Sequence, residues 1–380
     1  MSTLGGAPDR LAARRVRLER TRAQMEAVGV EALLLSIGAD LPWLSGYEAM
    51  PLERPTVLVV PLDAEPTLVV PELEAPRVEQ SEGLFSIEPW SETEDPIGRI
   101  AALVGQRRRL AFSDRAFAAL LLALQQALPR ADFRPASLVT APLRAVKDEA
   151  EVAALCAAGA AADEVANALL FGEIRLIGRS ERAVSDEIAD RLRAAGHARV
   201  NFSIVASGPN AASPHHDAGD RRIGAGETVV CDFGGTLSLD GDVGYCSDTT
   251  RTVVTGEPSA EIRELYGVLE EAQRRARESV AVGLACEEVD RVARDIIASA
   301  GYGAAFIHRT GHGIGIEEHE DPYLVAGNGA PIEAGNAFSI EPGIYLAGRL
   351  GARIEDIVVA GLEQTIACNV ADHGLHVVEA

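Results

Sequence analysis

Apolar residues recur at helical spacing over residues 10–28, where Leu11, Val16, Leu18 and Met25 sit among arginines and glutamates and Gly29 ends the pattern. The next apolar runs, at 32–37, 56–60 and 67–70, are short, and prolines bound the later two, which predicts strands. Helix and strand patterns alternate again over 97–112 and 117–128, the signature of an α/β layer. Pro129, Pro135 and Pro142 then punctuate the chain and place a domain boundary at 141–146, dividing it into 1–142 and 143–380.

The second part opens on KDEAEVAALCAAGAAADEVANALL, an Ala-rich helix with carboxylates in its first turns, where they favour the helix dipole. Further helices are expected at 181–195, 261–282 and 286–300. The strands between and after them carry charges where burial predicts none. Two expected hairpins each place one carboxylate in each strand: Asp232 with Asp248, and Glu341 with Glu355. A pseudo-symmetric domain of two α/β halves would bring the hairpins together.

Composition narrows the function classes. The chain has 380 residues, 47% of them apolar, enough for two cores. With 35 basic and 57 acidic side chains the net charge is −22, and Lys147 is the single lysine, which argues against a nucleic-acid-coating role. The charge is uneven, net −4 over 1–142 and −18 over 143–380, so acidic chemistry belongs to the second part. Five cysteines with no C-x-x-C pair fit a reducing compartment. The N-terminus shows no signal-peptide pattern, and the apolar stretch near 117–124 is too short to cross a bilayer. A soluble, cytoplasmic protein without a membrane partner is the expectation.

In ETVVCDFGG, Asp232 interrupts a run that otherwise reads as a buried strand, and a lone buried carboxylate is costly unless paired or metal-bound. Asp248 lies 16 residues on, in CSDTTRTVV, and Thr250 shares its face by the two-residue period. Glu341 ends an apolar run in NAFSIEPGIY, and Glu355 is embedded in GARIEDIVVA. Arg353 shares a face with Glu355, so a salt bridge between them is the plain structural alternative; Asp356 points the other way. Four carboxylates together repel one another, and a pair of divalent metal ions resolves the repulsion. The glycine-rich HRTGHGIGIEEHE adds His308, His312 and His319, with the glycines beside His312 allowing unusual backbone angles and a histidine presented from a loop. There is no H-E-x-x-H, which excludes a helix-borne zinc peptidase. His215 and His216, in SGPNAASPHHDAGD just before the Asp232 strand, suit a rim or substrate contact. Such an oxygen-rich donor set favours manganese, cobalt or iron over a thiolate zinc centre, and Cys231 is expected on the opposite face from Asp232. Two ions sharing carboxylates would lower the pKa of a shared water and polarise a carbonyl, which makes the reaction class hydrolysis.

The combination of DFG with Asp232, SDTTRT with Asp248, GHGIG with His312, EPG with Glu341 and RIED with Glu355 resembles the Xaa-Pro peptidases, prolidase and aminopeptidase P, of the pita-bread metallopeptidase family. The resemblance spans 143 onward, and ADLPWLSGYE resembles the Tyr-Leu-x-Gly-type segment of the creatinase/prolidase N-terminal domain. It implies an α/β (α+β) chain with that smaller domain first and a pseudo-symmetric pita-bread catalytic domain second. It implies that Asp232 binds one metal ion, His312 and Glu341 the other, and that Asp248 and Glu355 bridge the two. Manganese is the expected metal, with cobalt, iron and zinc as alternatives. It further implies that Glu341 shuttles the proton, His215 contacts substrate, and His319 stabilises the tetrahedral intermediate. His308 and Arg353 would line the pocket for proline or the chain terminus.

One departure is the TLSLDGDVGYC segment between the two aspartates, longer than is usual in the family. Extra residues in the hairpin loop leave the metals untouched, whereas a register shift would turn Asp248 to the wrong face. The match of GYCSDTTRT favours the loop. The implied activity is cleavage of the Xaa-Pro bond at the N-terminus of a dipeptide or short peptide, by a homodimer. Chain length and the short Glu341 to Glu355 spacing favour a dipeptidase over an aminopeptidase. A metal-free creatinase-like amidinohydrolase and a non-catalytic binding module are the other readings, and retention of all five ligand positions opposes both. A small-amide hydrolase or lyase on the same scaffold stays open.

Overall fold

The computed structural model describes residues 10–79, 83–239 and 241–378. The chain divides into two compact units, Met1–Arg144 and Ala145–Ala380, a division two residues past the one expected at 142/143.

In the first unit α1 (Arg10–Val28) buries Leu18, Thr21 and Met25, and Gly29 terminates it at a left-handed φ of 72°. Strands β1 (Ala32–Leu35), β2 (Val57–Pro61), β3 (Thr67–Pro71), β4 (Ser86–Trp90), β5 (Arg109–Phe112) and β6 (Asp132–Pro135) form one mixed sheet in the order β4-β3-β2-β1-β5-β6. Every residue of β1, β2 and β3 is buried, which is why they read as continuous apolar runs without alternation. Helices α2 (Asp40–Ser45), α3 (Pro96–Val104), α4 (Ala118–Ala127) and α5 (Ser137–Ala145) complete the unit, with Ile100, Val104 and Leu124 packed on Leu34, Val57 and Val69.

The second unit begins with α6 (Glu149–Leu170), held at its start by a capping box in which Asp148 and Glu151 satisfy each other's backbone N–H. By length and composition α6 is apolar enough to cross a bilayer, which corrects the expectation drawn from 117–124 alone; its apolar positions pack in the core of the unit. Then follow α7 (Glu181–Ala194), β7 (Arg199–Ser207), β8 (Thr228–Leu237), β9 (Tyr245–Cys246), β10 (Thr249–Thr255), α8 (Ala260–Ser279) and α9 (Cys286–Ser299). The remainder is β11 (Gly311–Gly313), β12 (Glu320–Leu324), β13 (Ala337–Ile340), β14 (Gly343–Leu346), β15 (Leu350–Arg353), β16 (Asp356–Val359), β17 (Ile366–Ala367) and β18 (His376–Val378).

These strands make two main sheets. One runs β18-β10-β8-β7 with β9 on β8, and packs its Val229, Cys231, Phe233 and Val253 against α6 and α7. The other runs β12-β11-β13-β16-β17 and shares a core with α8 and α9. The two meet where an isolated bridge joins Thr250 of β10 to Glu355.

Two local expectations change. β8 pairs with β9 and β10 in one unbroken register, from Leu237↔Tyr245 through Thr250↔Asp232 to Thr228↔Val254, so the TLSLDGDVGYC excess lies in the turn and Asp248 keeps its face. The second carboxylate pair does not occupy the two strands of one hairpin. β14 and β15 form a small hairpin of their own, and β13 pairs instead with β16 through Ile340↔Asp356. Glu341 and Glu355 therefore stand just outside strands, at the ends where that ladder opens.

Candidate metal centre

The alternation of β8 decides what faces the cleft. Cys231 points into the core and is fully buried, so its thiol is pushed up by burial, while Asp232 on the opposite face lines a cavity of about 390 Å³. Asp248, His312, Glu341 and Glu355 line the same cavity, as do His215, His308, His319 and Arg353. The nine side chains to which the resemblance gives a role thus border one space, within the size range of small-molecule sites.

His312 does not come from a loop. It is the middle residue of β11, and neither flanking glycine is in the left-handed region; they are needed for close packing. A Cβ on Gly311 would lie 1.9 Å from the carbonyl oxygen of Ser339, and one on Gly313 would lie 2.3 Å from that of Asp321. The His312 Nδ1–H donates to the Gly313 carbonyl at 3.1 Å, which fixes the tautomer and turns the Nε2 lone pair to the cavity. There Nε2 faces Glu341 Oε1 at 3.4 Å and Asp248 Oδ2 at 3.7 Å. Burial, reinforced by neighbouring charge, lowers the His312 pKa to about 3, so the ring is neutral and brings no proton to share.

The carboxylates present the same deficit. Asp232 Oδ1, Asp248 Oδ1 and Glu355 Oε1 are buried and have no hydrogen-bond partner. Such orphaned acceptors cost about 1–3 kcal/mol each, more when charged. Burial first, then mutual repulsion, pushes Asp248 and Glu355 well above the ordinary carboxylate range, and burial lifts Glu341 to about 7. Asp248, His312 and Glu355 each offer a donor atom within 4.8 Å of the others. Orphaned oxygens and an unprotonated imidazole facing one another fit hard divalent cations.

Arg353 behaves otherwise than the sequence suggested. Its guanidinium does not bond to Glu355; it donates to Asp232 Oδ2 at 2.6 Å, to the Tyr345 hydroxyl at 2.7 Å and to Thr250 Oγ1 at 3.1 Å. Glu355 instead accepts from Thr250 Oγ1 at 2.7 Å. The Tyr345 hydroxyl, accepting from Arg353, donates a hydrogen bond to His308 Nε2 at 2.9 Å, and His308 Nδ1–H donates to the Arg309 carbonyl at 2.8 Å. His308 is thus a neutral link in a directed chain, and burial together with the Arg353 charge lowers its pKa to about 4.

His319 lies ring to ring with His312, centroids 4.0 Å apart. Its Nδ1 is 3.3 Å from Arg309 Nη2, and since a guanidinium only donates, Nδ1 accepts and Nε2 is the ring's donor. Asp356, on the far side from Glu355, pairs with Arg251 at 2.7 Å and with His373, and bonds Gln273. His215 borders the cavity, but His216 turns away to the fully buried Glu181, which also accepts from Ser207 and Asn210. Sequence reasoning missed Tyr345, Arg309 and Glu181. Arg309 adjoins a singled-out histidine and Tyr345 lies four residues beyond Glu341, whereas nothing local marks Glu181. Phe202 and Ile204, alternate residues of β7, supply an apolar wall beside Asp232.

Comparison with known proteins identifies the family. Residues 153–361 match metallopeptidase family M24, and residues 17–146 match the creatinase/prolidase N-terminal domain. A Mycobacterium tuberculosis protein named probable dipeptidase PepE is 42% identical over 366 residues, 95% of this chain and 96% of that protein. An Xaa-Pro dipeptidase of Lactobacillus delbrueckii subsp. lactis is 36% identical, covering 89% of this chain and 92% of that protein. The crystal structure of recombinant prolidase from Thermococcus sibiricus superposes with a TM-score of 0.89 at 35% identity, over 99% of this chain and 100% of that one. The chain therefore belongs to metallopeptidase family M24, with a creatinase/prolidase N-terminal domain preceding its pita-bread catalytic domain.

Proposed function

We propose that the protein is an Xaa-Pro dipeptidase, hydrolysing the bond before a C-terminal proline. The observation that carries the reading is the convergence of four carboxylates and one neutral histidine on a single cavity, with three buried carboxylate oxygens lacking any partner. Asp232, Asp248, His312, Glu341 and Glu355 would hold two divalent ions, with Asp248 and Glu355 shared. The oxygen-rich set favours manganese, with cobalt, iron or zinc as substitutes. When bound, the ions supply Lewis acidity to the scissile carbonyl and acidify the attacking water.

The protein's own groups do the rest. Glu341 takes the proton from the attacking water and delivers it to the proline nitrogen, which leaves as a secondary amine. His319, its proton held on Nε2, donates to the carbonyl oxygen as negative charge develops there. His215 contacts the substrate from the facing loop, and Phe202 and Ile204 offer an apolar surface. His308, Tyr345 and Arg353 form one hydrogen-bonded wall that keeps Asp232 oriented. The domains are taken as 1–142 and 143–380, the five free cysteines suit a cytoplasmic setting, and the homodimer rests on the family resemblance.

The test is metal-stripped protein reloaded separately with manganese, cobalt, iron or zinc, with mass spectrometry following an Xaa-Pro dipeptide, an Xaa-Pro-Yaa tripeptide and matched Xaa-Ala controls. Metal-dependent cleavage of the Xaa-Pro dipeptide alone is expected. Tripeptide cleavage as well would make it an aminopeptidase. No cleavage with both ions bound would turn the search to other small amides or a lyase reaction.

A further inference from the structure

Two of the five cysteines meet inside the second unit. Cys156, on α6, and Cys368, just after β17, hold their sulfurs 3.3 Å apart although 212 positions separate them along the chain. The meeting is built by the way the chain crosses the helix. Residues 156, 159 and 163 share one face of α6 by helical spacing, and the segment 368–370 runs along that face. A Cβ on Gly159 would lie 2.4 Å from the Cys368 carbonyl oxygen, and the Val370 N–H donates to Asp163 Oδ2 at 2.5 Å. The bare glycine lets the two backbones come this close, and the thiols are neighbours as a result.

The two thiols are unequal. Cys156 is half-buried and open to small solutes, whereas Cys368 and the other three cysteines are buried. With Cys368 as the S–H donor, the Cys156 thiol is held down to about 7 against the opposing effect of burial, while burial pushes Cys231, Cys246 and Cys286 up. The thiolate is the form that attacks an oxidant, and exposure decides which thiolate is reached. Cysteines buried without such a partner pack as small apolar residues and stay inert. Here one sulfur reaches the surface and the second stands beside it.

Behind Cys368 the same segment holds the chain next to two of the proposed metal ligands. The Cys368 N–H donates to the Ile357 carbonyl at 2.9 Å, and Asn369 accepts from the Ile357 N–H at 2.9 Å and donates to Thr249 Oγ1 at 2.7 Å. Arg251 donates to the carbonyls of Ala371 and Asp372 at 2.8 and 3.0 Å and to that of Glu355 at 2.7 Å. Ile357 lies two residues beyond Glu355, and Thr249 follows Asp248. Residues 368–372 are thus a strut between α6 and those strands.

We propose that Cys156 and Cys368 are an oxidisable thiol pair, in which a peroxide closes an intramolecular disulfide that latches the 368–372 strut to α6. The Cys156 thiolate attacks one peroxide oxygen and breaks the O–O bond; Cys156 becomes a sulfenic acid and the other oxygen leaves as hydroxide, which takes up a proton to give water. The Cys368 sulfur then attacks the Cys156 sulfur, the S–S bond forms, and the sulfenic hydroxyl leaves as water with the Cys368 proton. Two thiols are oxidised by two electrons and one peroxide is reduced to two waters. The sulfurs close from 3.3 Å to about 2.05 Å, a shift of about one ångström shared between two rotatable side chains.

The experiment titrates the reduced, desalted, manganese-loaded full chain with hydrogen peroxide, and reads peptide mass spectra without reductant and thermal unfolding by circular dichroism. Expected are one cross-linked peptide pair holding Cys156 and Cys368, lighter by two hydrogens, and an unfolding midpoint of the second unit raised by about 5–15 °C, the range for a disulfide that closes a long loop in a domain of this size. Dithiothreitol should reverse both. Cys156→Ser should lose the cross-link and the shift, and Cys368→Ser should stop at the first step, its Cys156 trapped by dimedone as the sulfenic acid. Wild-type Cys156 oxidised past the sulfenic acid with Cys368 still a thiol, a disulfide to another cysteine or to a second copy of the chain, thiols that peroxide leaves intact, or a cross-link that does not raise the midpoint each overturn the proposal. The wild-type readouts decide it even if a serine variant does not fold, and they do not depend on which peptide the metal centre cleaves.

Discussion

Replacing Glu355 by glutamine separates a metal ligand from a structural carboxylate by the sign of its effects. Glu355 is 1% exposed; Oε2 accepts from Thr250, and Oε1 has no partner. Glutamine keeps the shape and an acceptor for Thr250 while removing a charge that Glu341 and Asp232 repel. In chelator the melting temperature of Glu355→Gln should therefore equal or exceed that of wild type. With metal the order should reverse. Free manganese at 100 times Kd stabilises the native state by about 2.7 kcal/mol, or roughly 5–10 °C for a domain of this size. A 100-fold loss of affinity at the same concentration leaves about 0.4 kcal/mol, roughly 1 °C. Thermal unfolding followed by circular dichroism in chelator and in manganese, with metal content by mass spectrometry, reads both. A full metal-induced shift in the variant, or a metal-free midpoint several degrees below wild type, would refute the metal-ligand role.

Three further outcomes follow from the same geometry. His319→Ala should keep both metal ions and lower kcat by about 100-fold or more, as for loss of an oxyanion donor, so normal turnover with bound metal would remove its role. Gly311→Ala would put a Cβ 1.9 Å from the Ser339 carbonyl oxygen, so it should displace β11 and abolish metal binding; a variant of native stability that binds metal would contradict the packing argument. Glu181→Ala would strip the acceptor from Ser207, Asn210 and His216, destabilising the native state by about 3 kcal/mol and raising KM through the His215 loop; chemical denaturation and steady-state kinetics measure the two effects.

The legible part of the site is the part that breaks a pattern. Asp232 stands out because a strand of Val, Cys and Phe does not otherwise admit an acid, and the same holds for the Glu355–Asp356 pair between Ile354 and the Ile-Val-Val run after it. The misread parts are those where one local pattern serves two geometries. Glycines flanking His312 suit an unusual turn and a crowded strand equally, and only the approach of the Ser339 and Asp321 carbonyls shows which applies. Arg353 and Glu355 were placed on one face by counting, but Arg353 closes β15 and Glu355 follows it, so the counting rule for an unbroken strand did not extend across the end. The Ala-rich helix shows the same ambiguity, since an apolar run alone does not say whether protein or lipid would cover it; in the fold the core covers it.

Periodicity and composition by themselves determined the α/β alternation, a division between 141 and 146, the acidic second part and the carboxylates and histidines that break the apolar pattern. These depend on each residue's own tendency to be buried, to turn or to carry charge, which a linear pattern records. Only the tertiary structure decided which carboxylate oxygens go without partners, that Arg353 is spent on Asp232 and not on Glu355, and that Glu181 anchors a loop 26 residues away. Those facts concern pairs of groups far apart along the chain, and a hydrogen bond is settled by distance and direction between atoms that only folding brings together.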